Sequence, residues 1–413
     1  MWRIVRAQGG LAGGAPRKLA VSPARLLDSF VVDSDAGEPS TPPSSASCSR
    51  QPTRNFEYPG FAFTRITERD VEEAIKRCTS KSPGPDGISP QALLLFLPAL
   101  KRPLTAIYNA SLSRGVYPQE WKEAAIVPVP KVPTPTSCKD YRPIAVGNCV
   151  GKVLDKIVLG QVSSFLESSK ALSPAQFGFR KHHSAELALV GVLDPIREAM
   201  DRRRLSLVVG LDLSRVYDTI RHELLTDAMR DLNFTQEALA FFASFLRDRR
   251  ATLRTDEGPH PGWRRFQVGV PQGSSLSPTL FNIYVEGVTR LGVGCRLHLY
   301  ADDLLLVAET TGPQLREAID GFNVDVNKVC GWLGGMGLKV NPGKCVAAIV
   351  GNRRLRQRYV TGDTPAVRIG GTPLAYRDSF RYLGITISED LSWRRQVYKE
   401  IINKHYLQFY KDT

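Results

Sequence analysis

The sequence predicts a mixed α/β fold, and three observations carry that expectation. Two runs, "LSLVVGLDLS" and "RLHLY-ADD-LLLVA", are apolar and branched enough to be strands. Other stretches repeat apolar residues at helical spacing, as in "TERDVEEAIKRC" and "SPTLFNIYVEGV". The 413 residues are 42% hydrophobic, enough for a sizeable core and for more than one lobe.

Taken in order, residues 1 to about 55 read as a disordered leader. "GEPSTPPSSASCSRQPT" is rich in Ser, Thr and Pro and has almost nothing to bury. The first 27 residues hold five basic residues and no acid, which resembles a mitochondrial presequence. Glycines at 9, 10, 13 and 14 weaken any amphipathic helix there, so we read a segment without a targeting role. Thr67 predicts a helix start, with Asp70 as a weak capping box and Val71, Ala74, Ile75 and Cys78 on one face. "KSPGPDGISP" is a loop. "EAAIVPVPK" predicts a strand closing on Lys131, and "DYRPIAVGNCVGKVLDKIV" a loop leading into a helix. "LSLVVGLDLS" is a strand ending at Asp212. In "SPTLFNIYVEGV", Ser277 predicts the cap, Pro278 the first turn, and Phe281, Tyr284, Val285 and Val288 one face. "RLHLY-ADD-LLLVA" then reads as two strands joined by a tight turn. No internal repeat is visible.

Composition narrows the function. Lys and Arg number 55 against 41 Asp and Glu, a net of +14, which favours a polyanionic partner. Residues 61–180 carry 16 basic and 10 acidic residues, 181–310 carry 16 and 17, and 311–413 carry 16 and 9. Basic flanks thus surround a near-neutral centre. An odd number of cysteines, seven, with no CxxC pair, argues against a disulfide framework or zinc knuckle and for a reducing, intracellular home. Nucleus and cytoplasm are not distinguished. No apolar run approaches the ~20 residues that span a bilayer.

The aspartates raise the sharpest question. Asp302 and Asp303 sit inside an apolar segment, and a carboxylate placed there is costly unless it is paired or bound to a metal. At a turn tip, two adjacent carboxylates can project to a common point. Asp212, 90 residues earlier, ends another strand and can join them only through the fold. Three such carboxylates could hold two Mg²⁺ about 3.5–4 Å apart. The competing reading is a polar turn decorated by two acids.

Here the chain resembles a family. "SPGPDGI", "DYRPI", "QFGFR", "DLSRVYDTI", "GVPQGSSLSPTLFNIY", "YADD", "GLKVNPGKC" and "YLGI" occur in the order found in reverse transcriptase domains of non-LTR (LINE-type) retrotransposons. The resemblance covers roughly residues 60–390. It implies a right-hand polymerase with an antiparallel palm sheet. The leader would occupy 1–55, the fingers and an N-terminal extension 56–205, the palm with a fingers insertion 206–387, and the start of a truncated thumb 388–413.

The resemblance also implies roles. Asp212, Asp302 and Asp303 would be the metal carboxylates, for two Mg²⁺ with Mn²⁺ as a substitute. Tyr217 matches the ring under the incoming sugar, where it leaves no room for a 2′-hydroxyl. From pattern alone it reads as core packing. Gln272 and Gly273 match the loop along the nucleotide, glycine serving a close backbone approach, although "PQG" also fits a plain turn. Lys131 and Arg142 match residues that hold the triphosphate. Lys344 matches a lysine that protonates departing pyrophosphate. Tyr382, Leu383 and Gly384 match the primer grip, with core packing as the other account of Leu383. Where the family often has "SKAFD" this chain has "SRVYD", which keeps the charge and the ring.

The expected partners are an RNA template, a DNA primer and deoxynucleotides, with no membrane; the oligomeric state is open. No endonuclease or Cys/His nicking module is recognisable, so the sequence reads as a fragment with a weak grip on duplex. The alternatives are an inactive retrotransposon-derived fragment that only binds nucleic acid, and an RNA-templated RNA polymerase, against which Tyr217 speaks.

Overall fold

The computed structural model describes residues 19–31, 56–78, 82–255 and 258–397. They fall into two compact units, Met1–Ala171 with Tyr217–Tyr284, and Leu172–Val216 with Val285–Thr413. Helices and both mixed and antiparallel sheets make this an α/β protein, as the sequence predicts.

The first unit is built on a mixed sheet. Glu123–Pro130 pairs antiparallel with Tyr141–Gly147 and parallel with Arg249–Thr255. The segment expected as a loop at "DYRPI" is therefore a strand. Val129↔Arg142 and Pro130↔Tyr141 open its ladder, and the helix Cys149–Ser168 begins only after Asn148, whose side chain accepts from the amides of Val150 and Gly151. Pro143 hid the second strand of this hairpin, because proline argues against a central strand. Glu68–Lys76 starts with the expected capping box: Thr67 accepts from the Asp70 amide while Asp70 accepts from that of Thr67. Phe61, Phe63, Phe165, Phe234, Phe241 and Phe242 form a chain of tilted and edge-on ring contacts that joins the helices.

One expectation for this unit is overturned. Within the supposed leader, Pro23–Phe30 is a helix, and Leu26, Leu27 and Phe30 are buried. They pack with Ala124, Ile126, Tyr141, Ala251 and Leu253 of the mixed sheet. Averaging over the Ser/Pro-rich window concealed a single apolar face eight residues long. Residues 1–18 and 32–55 lie outside the described residues, and with them most of the presequence reading, as does most of the expected thumb segment.

The second unit carries a four-stranded antiparallel sheet in the order Val346–Val350, Leu205–Leu211, Asp303–Thr310, Arg296–Tyr300. Its inner strands are apolar without alternation because both faces are covered. Val208, Leu305, Val307, Ala348 and Val350 pack with Val192 and Ile196 of the helix Ala185–Asp201 and with Phe380, Tyr382 and Ile387. Leu207, Val209, Leu304 and Leu306 are equally buried, and the helix Leu315–Gly335 packs against the same strands. Ser379–Tyr382 and Ile385–Ser388 form a separate hairpin. No helix among the described residues is long and apolar enough to cross a membrane. Their six cysteines are free.

Leu26 tests the corrected N-terminal helix. Leu26→Ala should cost about 2–5 kcal/mol, as for a fully buried leucine, measured by urea unfolding of the first unit. An unchanged midpoint would show that Pro23–Phe30 adds nothing to stability.

Candidate active site

Strand register assembles the acidic cluster. The ladder between Leu205–Leu211 and Asp303–Thr310 runs Gly210↔Leu305 and Leu211↔Leu304. Continued by one residue, it sets Asp212 opposite Asp303. Asp303 also closes the hairpin with Tyr300, so its loop is only Ala301 and Asp302. Ala301 has φ +55°, the left-handed first loop position of a type II′ turn. All three predicted carboxylates thus lie at one end of one sheet. Asp302 and Asp303 are exposed and Asp212 is half-buried.

The electrostatics follow from this crowding. Desolvation, then the charges of Asp302 and Asp212, push the Asp303 carboxyl up to about 6. The balancing cation is modest: Lys344 Nζ lies 3.9 Å from Asp212 Oδ2, and both side chains are substantially exposed. Lys344 arrives there because Lys339–Val340 pairs with Leu213–Ser214, and the Asn341 amide donates to the Asp212 carbonyl at 2.9 Å. The next residue, Cys345, accepts the Asp212 amide on Sγ at 3.4 Å. Sequence reasoning missed Cys345, whose only signal was its place beside Lys344.

Among the described residues, no three His, Cys, Asp or Glu side chains stand close enough to grip a metal ion as they are. The backbone nonetheless brings an all-carboxylate donor set to one point, and that set suits hard divalent cations such as Mg²⁺ and Mn²⁺. These residues therefore fit the ions that the sequence suggests.

The predicted primer-grip residues belong to the same unit. Tyr382 is 5% exposed, and its hydroxyl has no hydrogen-bond partner among the described residues. Burial, and then the charge of Asp303, hold its phenol well above the usual range. Leu383 has φ +47° and is half-buried, and Gly384 is exposed at φ +86°. Core packing therefore describes Tyr382 as well as Leu383.

The residues predicted to hold the nucleotide lie in the first unit. Lys131 follows the strand Glu123–Pro130, and its Nζ donates to the Lys139 carbonyl at 2.8 Å. Arg142 is exposed opposite Val129. Tyr217 is half-buried, its ring 5.5 Å from that of Phe281, and its carbonyl accepts the Val270 amide at 2.7 Å. Gln272 Nε2 donates to Asp218 Oδ1 at 2.7 Å, and its carbonyl accepts the Ala145 amide at 2.6 Å. Gly273 has φ +132°, and a Cβ there would lie 2.4 Å from the Ala145 carbonyl oxygen. The strand alone therefore requires this glycine, a cause that sequence reasoning did not supply.

Behind that loop sits a residue missed entirely. Asp155 is 4% exposed and accepts hydrogen bonds at 2.9 Å from the Tyr117 hydroxyl and the Ser274 hydroxyl. Burial raises its carboxyl, and the buried Arg249 guanidinium opposes that rise. The available signal was helical phase, since Gly151, Asp155, Val158 and Val162 share one face. Ser277 also departs from expectation. It is the first helical residue, and its hydroxyl donates to the Pro271 carbonyl rather than capping the helix.

Comparison with known proteins agrees with these motifs. The family described as "Reverse transcriptase (RNA-dependent DNA polymerase)" matches residues 129–387. The chain is 27% identical over 367 residues to the RNA-directed DNA polymerase from mobile element jockey of Drosophila melanogaster, covering 84% of this chain and 38% of that protein. It is 29% identical over 371 residues to the putative 115 kDa protein in type-1 retrotransposable element R1DM of the same organism, covering 84% and 34%. It is 26% identical over 365 residues to the retrovirus-related Pol polyprotein from type-2 retrotransposable element R2DM, covering 84% and 32%. The chain spans between 32% and 38% of the length of these relatives. Since the family match extends over more than half of its residues, the chain belongs to the reverse transcriptase family, and within it is similar to the polymerases of non-LTR retrotransposons.

Proposed function

We propose that the chain is the polymerase core of a non-LTR retrotransposon protein and transfers deoxynucleotides to a primer 3′-hydroxyl on an RNA template. The observation that carries this reading is the convergence of Asp212, Asp302 and Asp303 at the end of one antiparallel sheet. The second unit then corresponds to a palm, and the hairpin of Lys131 and Arg142 to part of the fingers.

In this reading Asp212, Asp302 and Asp303 hold two Mg²⁺, or Mn²⁺. Bound there, the ions would supply positive charge to activate the primer hydroxyl and to ease departure of pyrophosphate. Lys344, beside Asp212, holds a proton at the edge of the cluster and can pass it to the leaving group. Lys131 and Arg142 bind the triphosphate, Arg by its fork and Lys as a point charge. Gln272 and Gly273 lie along the nucleotide. The Tyr217 ring fills the space that a ribose 2′-hydroxyl would need. Tyr382, Leu383 and Gly384 seat the primer end. Extension of oligo(dT) on poly(rA) by the purified chain tests the whole reading, and no Mg²⁺-dependent product would refute it.

Two substitutions probe its parts. Asp302→Asn removes charge where the ions sit, so extension should fall at least about 10³-fold with nucleic-acid affinity within about twofold; a wild-type rate removes Asp302 from the metal site. Tyr217→Ala should raise ribonucleotide incorporation relative to deoxynucleotide by about tenfold or more in paired assays. Unchanged discrimination returns the ring to core packing against Phe281.

Asp303 also links the site to stability. Its folded carboxyl titrates near 6, above the ordinary 3.8, so its contribution is fully present below 3.8 and is lost as pH rises through 6. Asp303→Asn should therefore raise the melting temperature of the metal-free protein near pH 8 and leave it little changed near pH 4. Equal shifts at both pH values would mean that the Asp303 carboxyl is not raised in the folded protein.

A further inference from the structure

The motif "QFGFR" has no role in the proposed chemistry, yet the structure ties it to the aspartate turn. Residues 175–177 run parallel to the outer strand Arg296–Tyr300. The Leu299 amide donates to the Ala175 carbonyl and the Phe177 amide donates to the Leu299 carbonyl, each at 2.8 Å, with Gln176 bridged to Leu299. The next residue meets the turn itself. A Cβ on Gly178 would lie 2.3 Å from the Ala301 amide nitrogen and 3.0 Å from the Tyr300 carbonyl carbon. These are backbone atoms with no side chain to swing aside. No residue but glycine fits without moving the turn that carries Asp302 and Asp303.

The rest of the motif holds this segment in place. Gln176 is 1% exposed, and its Oε1 accepts the Gly178 amide at 2.8 Å. The Phe177 ring lies where a Cβ on Gly191, in the helix Ala185–Asp201, would be 3.3 Å away. Arg180 Nη1 donates to the carbonyls of Ser173 at 2.8 Å and Gln176 at 3.0 Å. The Ser173 amide in turn donates to Glu286 Oε1 at 3.0 Å, a buried carboxyl. What this brace restrains is a strained turn, since Ala301 holds φ +55° without being glycine. Such a conformation persists only where its surroundings over-determine it.

We propose that residues 175–180 act as a brace for the aspartate turn, with Gly178 and Gln176 as positioning residues that fix where Asp302 and Asp303 stand. The brace rests on the reading of those aspartates as the catalytic carboxylates. It predicts that the turn loses its set position when the brace is pushed away, while the nucleotide-binding residues of the first unit are untouched.

Gly178→Ala in the full chain tests this. Hydrogen exchange in the metal-free protein should quicken at least about fivefold across 299–304 and remain unchanged across 205–211. In primer extension kcat should fall about tenfold or more, with KM for deoxynucleotide within about twofold. Adding Ala301→Gly, which relaxes the left-handed position and lets the turn shift, should restore part of kcat. Wild-type exchange and kcat in Gly178→Ala overturn the proposal. So does a loss of kcat that only tracks loss of folded protein and is not restored by Ala301→Gly. If Gly178→Ala does not fold, Gln176→Met removes the acceptor for the Gly178 amide and must show the same pattern of quickened exchange and lowered kcat; its absence is equally fatal. Asp302→Asn run in parallel separates the two levels. Full activity there refutes the catalytic reading, whereas an inactive Asp302→Asn beside a fully active Gly178→Ala refutes the brace alone.

Discussion

Three carboxylates held side by side at the end of a sheet repel one another, and the backbone does not let them separate. Asp212 and Asp303 are set opposite by strand register, and Asp302 occupies the two-residue turn between Asp303 and its partner strand. Desolvation first, and then the charges of Asp302 and Asp212, raise the Asp303 carboxyl. A soft scaffold would relieve the repulsion by letting the strands slip. Slippage by one residue here would carry Val208, Leu305 and Val307 from the helix Ala185–Asp201 to the opposite, equally buried face, so both apolar faces would have to repack. The buried sheet therefore enforces the electrostatic conflict that a pair of divalent cations would resolve.

This constraint explains features that would otherwise be separate. The inner strands are apolar on both faces because both are covered. Cys345 and Asn341 fasten the main chain of Asp212, the strand end with no hairpin of its own. The buried Tyr382 ring joins the same apolar cluster while its hydroxyl feels the Asp303 charge. In the first unit the equivalent organiser is Asp155. It gathers Tyr117 and Ser274 behind the loop of Gln272 and Gly273 and sits near the buried Arg249 charge. Both units thus spend buried polar groups on fixing a loop rather than on strengthening a core.

Much of this was legible in the residues. The strand ending at Asp212, the tight hairpin at Asp302 and Asp303, and the capping box at Thr67 and Asp70 all follow from local pattern, and local pattern decided them. Failures came where a long-range contact overrode the local signal. Tyr141–Gly147 is a strand despite Pro143 because Glu123–Pro130 supplies a partner along its length. Pro23–Phe30 is a helix because the mixed sheet offers an apolar surface to Leu26, Leu27 and Phe30. Ser277 bonds to Pro271 because the preceding loop folds back over the helix start. Gly273 read as a close approach to a nucleotide or as a plain turn, and Gly178 drew no reading; only the approach of Ala145 and Ala301 reveals why each must lack a side chain.

Titration of the metal-free chain with Mn²⁺, followed by the loss of the free-ion paramagnetic resonance signal, tests the acidic cluster most directly. The account predicts saturable binding near pH 8 that weakens as pH falls through about 6, where Asp303 takes up its proton. Binding should disappear when Asp212, Asp302 and Asp303 are together replaced by asparagine. Mn²⁺ binding of equal strength in the wild type and the triple variant would contradict it.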